Sequence, residues 1–193
     1  MRPFWLLAIF CLLCPPAMAE DAPFGLRWGA TFDELKVRGV SGELQQDDGK
    51  LLTYQVRKLP KAPNETDVAR LNIDRQFGLQ RIVWVSKTLS EDPSGQKGLE
   101  LYQATKQKLS EEYGTPRSAD EEMAGSQTHG QSSFYQCLAE DGCGVFVTVW
   151  RTPDIDARLR LIGTAAGKGW LEIVFLGPDW DDVATKLEKK KPH

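Results

Sequence analysis

Apolar and polar residues alternate with a period of two through several stretches of the chain, and a period near 3.6 replaces it in others. Leu51 to Leu59 puts Leu52, Tyr54 and Val56 on one side, which predicts a strand. Ala69 to Phe77 repeats the pattern with Leu71, Ile73 and Phe77. Gly78 turns the chain into Leu79 to Leu89, where Ile82, Val83, Trp84 and Val85 make both sides apolar and predict a central strand. Before these strands comes a short extended entry, Phe24 to Gly29. Thr31 and Glu34 then form a capping box for a short helix, Phe32 to Arg38, stopped by Gly39.

The strongest helical signal runs from Gln96 to Tyr113, with Leu99, Tyr102, Leu109 and Tyr113 in one stripe. Gly114-Thr115-Pro116 ends it. Residues 117–132 are polar and predict a surface loop that includes Asp120-Glu121-Glu122 and His129. Four short strands are predicted next: Ser133 to Leu138, Gly144 to Thr152, Ala157 to Thr164, and Trp170 to Leu176. In the third, Arg158 and Arg160 alternate with Leu159 and Leu161 and share a solvent-facing side. A last helix spans Trp180 to Lys190, capped by Asp179, with Asp181 and Asp182 in its electropositive first turn.

Helix, three strands, helix, four strands, helix is the resulting order. It predicts an α+β fold: a two-layer sandwich whose antiparallel sheet comes from two helix-plus-meander halves, with the helices on one face. The halves are about 24–90 and 95–193. One such unit is too small to bury its own core, so both are expected to share a single domain, 20–193.

Residues 1–19, MRPFWLLAIFCLLCPPAMA, change the reading of everything after them. Arg2, the apolar run Phe4 to Leu13 and the small-x-small site Ala17-Met18-Ala19 have the layout of a secretory signal peptide cleaved after Ala19. The run is too short to span a bilayer, which takes about 20 apolar residues. Leu13 before Cys14 does not fit a lipid-attachment site. Cleavage removes two of the four cysteines and leaves Cys137 and Cys143 in an oxidising compartment, secreted or periplasmic. A zinc site would need two further ligands, and the only histidines are His129 and His193. Thioredoxin-type redox pairs have two residues between the cysteines, and here there are five. A disulfide clamp remains, closing a hairpin between Phe134-Tyr135 and Val145 to Val149 and holding the acidic tip Leu138 to Gly142 in one shape.

The formal net charge of −3 becomes −4 once Arg2 leaves with the leader. An acidic chain whose one basic cluster is Lys189-Lys190-Lys191 is a poor candidate for nucleic acid or anionic membrane surfaces. Catalytic motifs are missing too: no Gly-x-Ser-x-Gly elbow occurs, and the Gly163–Gly169 stretch GTAAGKG has the wrong glycine spacing for a phosphate loop and predicts a hairpin turn. Asp179-Trp180-Asp181-Asp182 lacks the spaced ligands of a calcium loop. No metal or cofactor is expected. Five tryptophans follow the leader. Trp84 and Trp150 sit mid-strand as core, whereas Trp28 and Trp170 lie beside glycine at strand ends, where an aromatic can anchor a partner.

Gly29-Ala30-Thr31-Phe32-Asp33-Glu34-Leu35 resembles the helix-opening motif of BamE-like envelope proteins, and Leu109-Ser110-Glu111-Glu112-Tyr113-Gly114-Thr115-Pro116 resembles the helix-closing motif of the same module. Here strands separate the two motifs, which in that family bracket one helical hairpin. The layout is also similar to the repeated unit of β-lactamase-inhibitor-like proteins. The resemblance implies a small envelope protein that works by binding another protein. The expected function is therefore a non-catalytic adaptor or accessory subunit. The alternative is an inhibitor that caps an exported hydrolase with loop 138–142, and a hydrolytic enzyme comes last. Partner-binding candidates are Leu138, Glu140, Asp141, Trp28 and Trp170, around the disulfide candidates Cys137 and Cys143.

Overall fold

A computed structural model describes residues 21–123 and 134–189. The signal-peptide candidate, His129 and the Lys190-Lys191 end lie outside these residues. The described chain is α+β, with four α-helices, an eight-stranded antiparallel sheet and a small two-stranded one.

The N-terminal strap folds on itself as β1 (Asp21–Ala22) and β2 (Leu26–Arg27) around one turn of 3₁₀ helix. Helix α1 (Phe32–Val37) begins as the sequence predicts: the Thr31 side chain accepts from the Glu34 amide, and Glu34 answers the Thr31 amide at 2.8 Å. Strands β3 (Ser41–Asp47), β4 (Leu51–Lys58), β5 (Thr66–Asp74) and β6 (Gly78–Ser86) follow as a meander. Helix α2 (Gln96–Tyr113) leads to β7 (Ser118–Met123), then a short helix α3 (Phe134–Ala139), then β8 (Gly144–Arg151), β9 (Asp156–Gly163) and β10 (Gly169–Leu176), and the chain turns into α4 (Trp180–Glu188). The sheet runs β3-β4-β5-β6-β10-β9-β8-β7, so the first four strands meet the last four, in reverse order, at a β6·β10 seam.

Four expectations are corrected. Ser41–Asp47 is a strand, so the first meander has four strands, not three. The predicted loop at 117–132 contains β7, and Glu121 is not solvated: its carboxylate is bound by Lys106 and Gln103 of α2 and by Thr148 of β8. Phe134 to Ala139 is a helix, not one arm of a hairpin, and it carries Tyr135, fully buried, and Cys137 into the interior. Asp179 precedes α4 but makes no side-chain cap. Its amide donates to Gln80 Oε1 at 3.0 Å, and its carboxylate accepts from Gln80 Nε2 at 3.3 Å.

The core follows from strand alternation. Leu71, Ile82, Phe175 and Ala157 belong to one side of the sheet, and so do Trp84, Ile173 and Leu159; all are buried. Burying a large aliphatic or aromatic side chain stabilises a fold by about 1.5–3 kcal/mol. This is the side the first two helices reach. Phe32 of α1 stacks on Tyr54 at 3.6 Å between centroids, Tyr102 of α2 shares a 2.7 Å hydrogen bond with Thr148, and Tyr113 meets the Phe175 ring edge-on. No helix among the described residues is long and apolar enough to cross a membrane.

Candidate functional site

Two places merit a functional reading: the disulfide-held turn and the second side of the sheet.

Cys137 and Cys143 are bonded, with Cα atoms 5.1 Å apart. The bond joins α3 to the residue before β8 rather than closing a two-stranded hairpin. On the chain-entropy account so short a loop contributes about 2 kcal/mol. Helix α3 rests on glycines: a Cβ on Gly98 would strike the Tyr135 hydroxyl, and one on Gly163 would strike the Tyr135 carbonyl. Gly163 shares its strand side with Leu159 and Leu161, so α3 lies over the core side of β9. Leu138 is half-buried against that core, while Glu140 and Asp141 are exposed in the turn.

Beneath α3 lies Asp92, only 5 % exposed. One of its oxygens accepts from the Tyr135 hydroxyl at 2.8 Å and from the Gly98 amide at 3.1 Å. Burial by itself would raise the Asp92 carboxyl. Hydrogen bonds from Tyr135, Gly98 and Lys97, together with the Lys97 charge, outweigh it and hold the pKa below the ordinary aspartate value. A folded-state pKa below the unfolded one gives stability that is complete above the unfolded value and disappears as pH falls through the folded one. Urea titrations at a series of pH values are expected to show stability falling below about pH 4, and falling less steeply in Asp92→Asn. An identical acid slope in the variant would contradict this assignment.

The second side of the sheet is read directly from the register. Arg70 opposes Val83, Val83 opposes Val174, and Val174 opposes Arg158, one row across four strands. A parallel row runs Asn72, Arg81, Leu176 and Asp156, ending at Arg151. On the other flank Val85, Glu172, Arg160 and Val147 form a third row. Trp170 opposes Ile162 at the end of the sheet nearest the β9–β10 turn. Val83 and Val174 are 4 % and 5 % exposed. Val147, Val149, Ile162, Trp170 and Leu176 are half-buried, and Val145 is 38 % exposed.

The charges on this side are unequally matched. Arg151 grips Asp156 with Nε at 2.7 and 2.9 Å from the two carboxylate oxygens. Arg160 lies 3.9 Å from Glu172. Arg70 and Arg158 form no ion pair among the described residues. Half-buried Arg81 has a 3.3 Å contact to Asn72 Oδ1 and lies 5.6 Å from the centre of the Trp180 ring. Burial, and then the repulsion of Arg158 and Arg70, pulls the Arg81 pKa down from its ordinary value, with Glu172 opposing. Between Arg81, Arg158 and Trp180 a groove of about 410 Å³ opens over Val174 and Leu176.

The sequence candidates are therefore dispersed. Trp170 belongs to the second side. Trp28 is 3 % exposed and packs in the core, so it presents no surface to a partner. Leu138, Glu140 and Asp141 stay with the clamp, on the opposite side from Trp170. Arg158 and Arg160 fall where the alternation puts them. Arg70, Arg81 and Trp180 carry no motif in the sequence, although the alternation of Ala69, Arg70 and Leu71 gives the orientation of the first. Among the described residues no group of three or more His, Cys, Asp or Glu side chains is arranged to hold a metal ion. No known protein family, curated protein or solved structure matches this chain.

Proposed function

We propose that this is an exported, non-catalytic module that binds another protein of the cell envelope, with α1, α2 and α3 on one side of the sheet and the second side, bordered by Trp180 of α4, as its docking surface. The observation that supports it is the contiguous set of half-exposed apolar side chains on that side: Trp170, Ile162, Val147 and Val149, with Val145 at the margin. Continuous apolar surface on a small soluble fold marks an interaction site, and tryptophan and arginine are the residues that anchor such sites. The disulfide and the N-terminal signal-peptide pattern support export. The likeness of the segments at Gly29 and Leu109 to BamE-like envelope proteins points the same way.

A second reading has its own observation. The disulfide holds Glu140 and Asp141 exposed beside half-buried Leu138, a rigid acidic tip of the kind that can plug an enzyme cleft. This is the inhibitor alternative, aimed at an exported hydrolase.

Affinity capture separates the two. Immobilised protein lacking residues 1–19 is expected to retain one defined partner from envelope extract. Trp170→Ala weakens that retention at least tenfold, on the order of 2 kcal/mol for an interface anchor. Glu140→Lys with Asp141→Lys leaves it intact. Loss of capture through the tip variant, or inhibition of a hydrolase such as lysozyme that the tip variant removes, would favour the inhibitor. No retained partner and no inhibition would overturn both readings.

A further inference from the structure

The chemistry of the partner can be taken one step further, resting on the docking surface just proposed. We propose that the groove between Arg81, Arg158 and Trp180, extended by Arg70, receives the carboxylates of an acidic segment of the partner protein.

The first support is the imbalance of charge. The chain without its leader is net negative, yet this part of the sheet presents three arginines that form no ion pair among the described residues, Arg70, Arg81 and Arg158. Of the nearby carboxylates, Asp156 is held in the fork of Arg151, and Glu172 lies 3.9 Å from Arg160 and favours the charge of Arg81 without pairing with it. Half-buried Arg81 has given up part of its hydration for one 3.3 Å amide contact and the face of the Trp180 ring. Such a cation gains more from an arriving carboxylate than an exposed lysine would, because water screens it less.

The second support is the setting. Val174 and Leu176 give the groove an apolar floor and Trp180 gives it an aromatic wall. Planar guanidinium groups over such a floor match carboxylates in a forked geometry that lysine cannot reproduce. Apolar side chains of the same segment can settle between the arginines, over the floor.

The third support is dimension. Arg70 and Arg158 stand at the two ends of a row crossing four strands. Three strand spacings make that span about 14 Å. A single small anion cannot bridge it, whereas a peptide with a carboxylate at every second residue can, since alternate side chains on an extended segment recur about every 7 Å. The acidic total charge disfavours a polyanion such as nucleic acid, whose binding requires a broadly basic surface.

The test uses the chain without residues 1–19 and three eight-residue peptides, alternating valine with glutamate, glutamine or lysine. Calorimetry and tryptophan fluorescence read binding at low and high salt. The glutamate peptide is expected to bind, with affinity falling as salt rises, and the other two are expected not to. Arg81→Met with Arg158→Met keeps the stems and removes the charge; it should weaken glutamate-peptide binding about tenfold or more, with an unchanged circular dichroism spectrum. Arg151→Met, which removes an arginine already paired, should change it little. Equal binding of the glutamine peptide, full binding by the double methionine variant, or complete displacement by millimolar inorganic phosphate would overturn the proposal. The two readings fail separately. If envelope capture depends on Trp170 but not on Arg81 and Arg158, the docking surface stands and the acidic segment is wrong. If capture does not depend on Trp170, the docking surface itself falls.

Discussion

A Gly163→Ala variant is expected to lose about 3 kcal/mol of stability or more, and to express poorly. The added methyl would occupy the position of the Tyr135 carbonyl oxygen and crowd the Leu138 Cβ. Overpacking a core commonly costs about 1–3 kcal/mol because side chains adjust, but here the obstacle is main chain. Helix α3 cannot lift away easily. Its Cys137 is bonded to Cys143, its Tyr135 ring is fully buried, and its Tyr135 hydroxyl is bonded to Asp92. Chemical denaturation gives the loss directly. A double-mutant cycle adds the mechanism: with both cysteines changed to serine the helix can move, so the Gly163→Ala penalty should shrink. A penalty under about 0.5 kcal/mol in the oxidised protein would mean that the α3 docking described above is wrong. Gly142, exposed in the adjacent turn with nothing near its would-be Cβ, is the control. Its φ of 76° makes alanine there unfavourable by about 1 kcal/mol.

Trp84→Ala is the second large effect, a loss of about 3–5 kcal/mol by the range for buried tryptophan. Trp84 is 2 % exposed on β6, the strand that joins the two halves, with Ala69 on one side and Ile173 on the other. Truncation leaves a void at the seam and removes the donor that Thr66 Oγ1 accepts from at 2.8 Å. Trp84→Phe keeps most of the volume and should cost less than half as much. Trp170→Ala, half-buried on the other side of the sheet, should cost under about 1 kcal/mol while harming capture. Stability and binding thus assign opposite roles to two tryptophans of adjacent strands. Equal stability losses would erase that distinction.

What the sequence conveyed, and what it concealed, follows from burial. Strands β4, β5, β8, β9 and β10 alternate because one side of each meets the core, β6 shows itself by being apolar on both sides, and all six are legible. Strands β3 and β7 are the two edges of the sheet. Ser41–Asp47 buries none of its side chains and Ser118–Met123 reads as acidic loop, so neither leaves a periodic trace. Polar edges of that kind also discourage pairing with another chain. Helix α3 was misread because its six residues are too few to show a helical stripe, and its cysteines suggested a hairpin. The disulfide itself was legible from compartment and count. The arginine groove was half legible: Arg158 shows its orientation through Leu159, but Arg70 and Arg81 come from the other half of the chain. Only the β6·β10 register brings them beside it.

The strand order has a kinetic side. Within each meander, neighbouring strands are also neighbours in sequence, and all but β7 and β8, which α3 separates, can zip together over short loops. The seam is different: Trp84 meets Ile173 across nearly half the chain. Closing that long loop is the entropically expensive event, so docking of the two meanders is expected to set the pace of folding, and mutations at the seam to slow refolding more than mutations within either meander. Until it happens the groove does not exist, since its arginines arrive from both partners of the seam. A chain emerging in order therefore acquires its recognition surface last, when its tenth strand slides home.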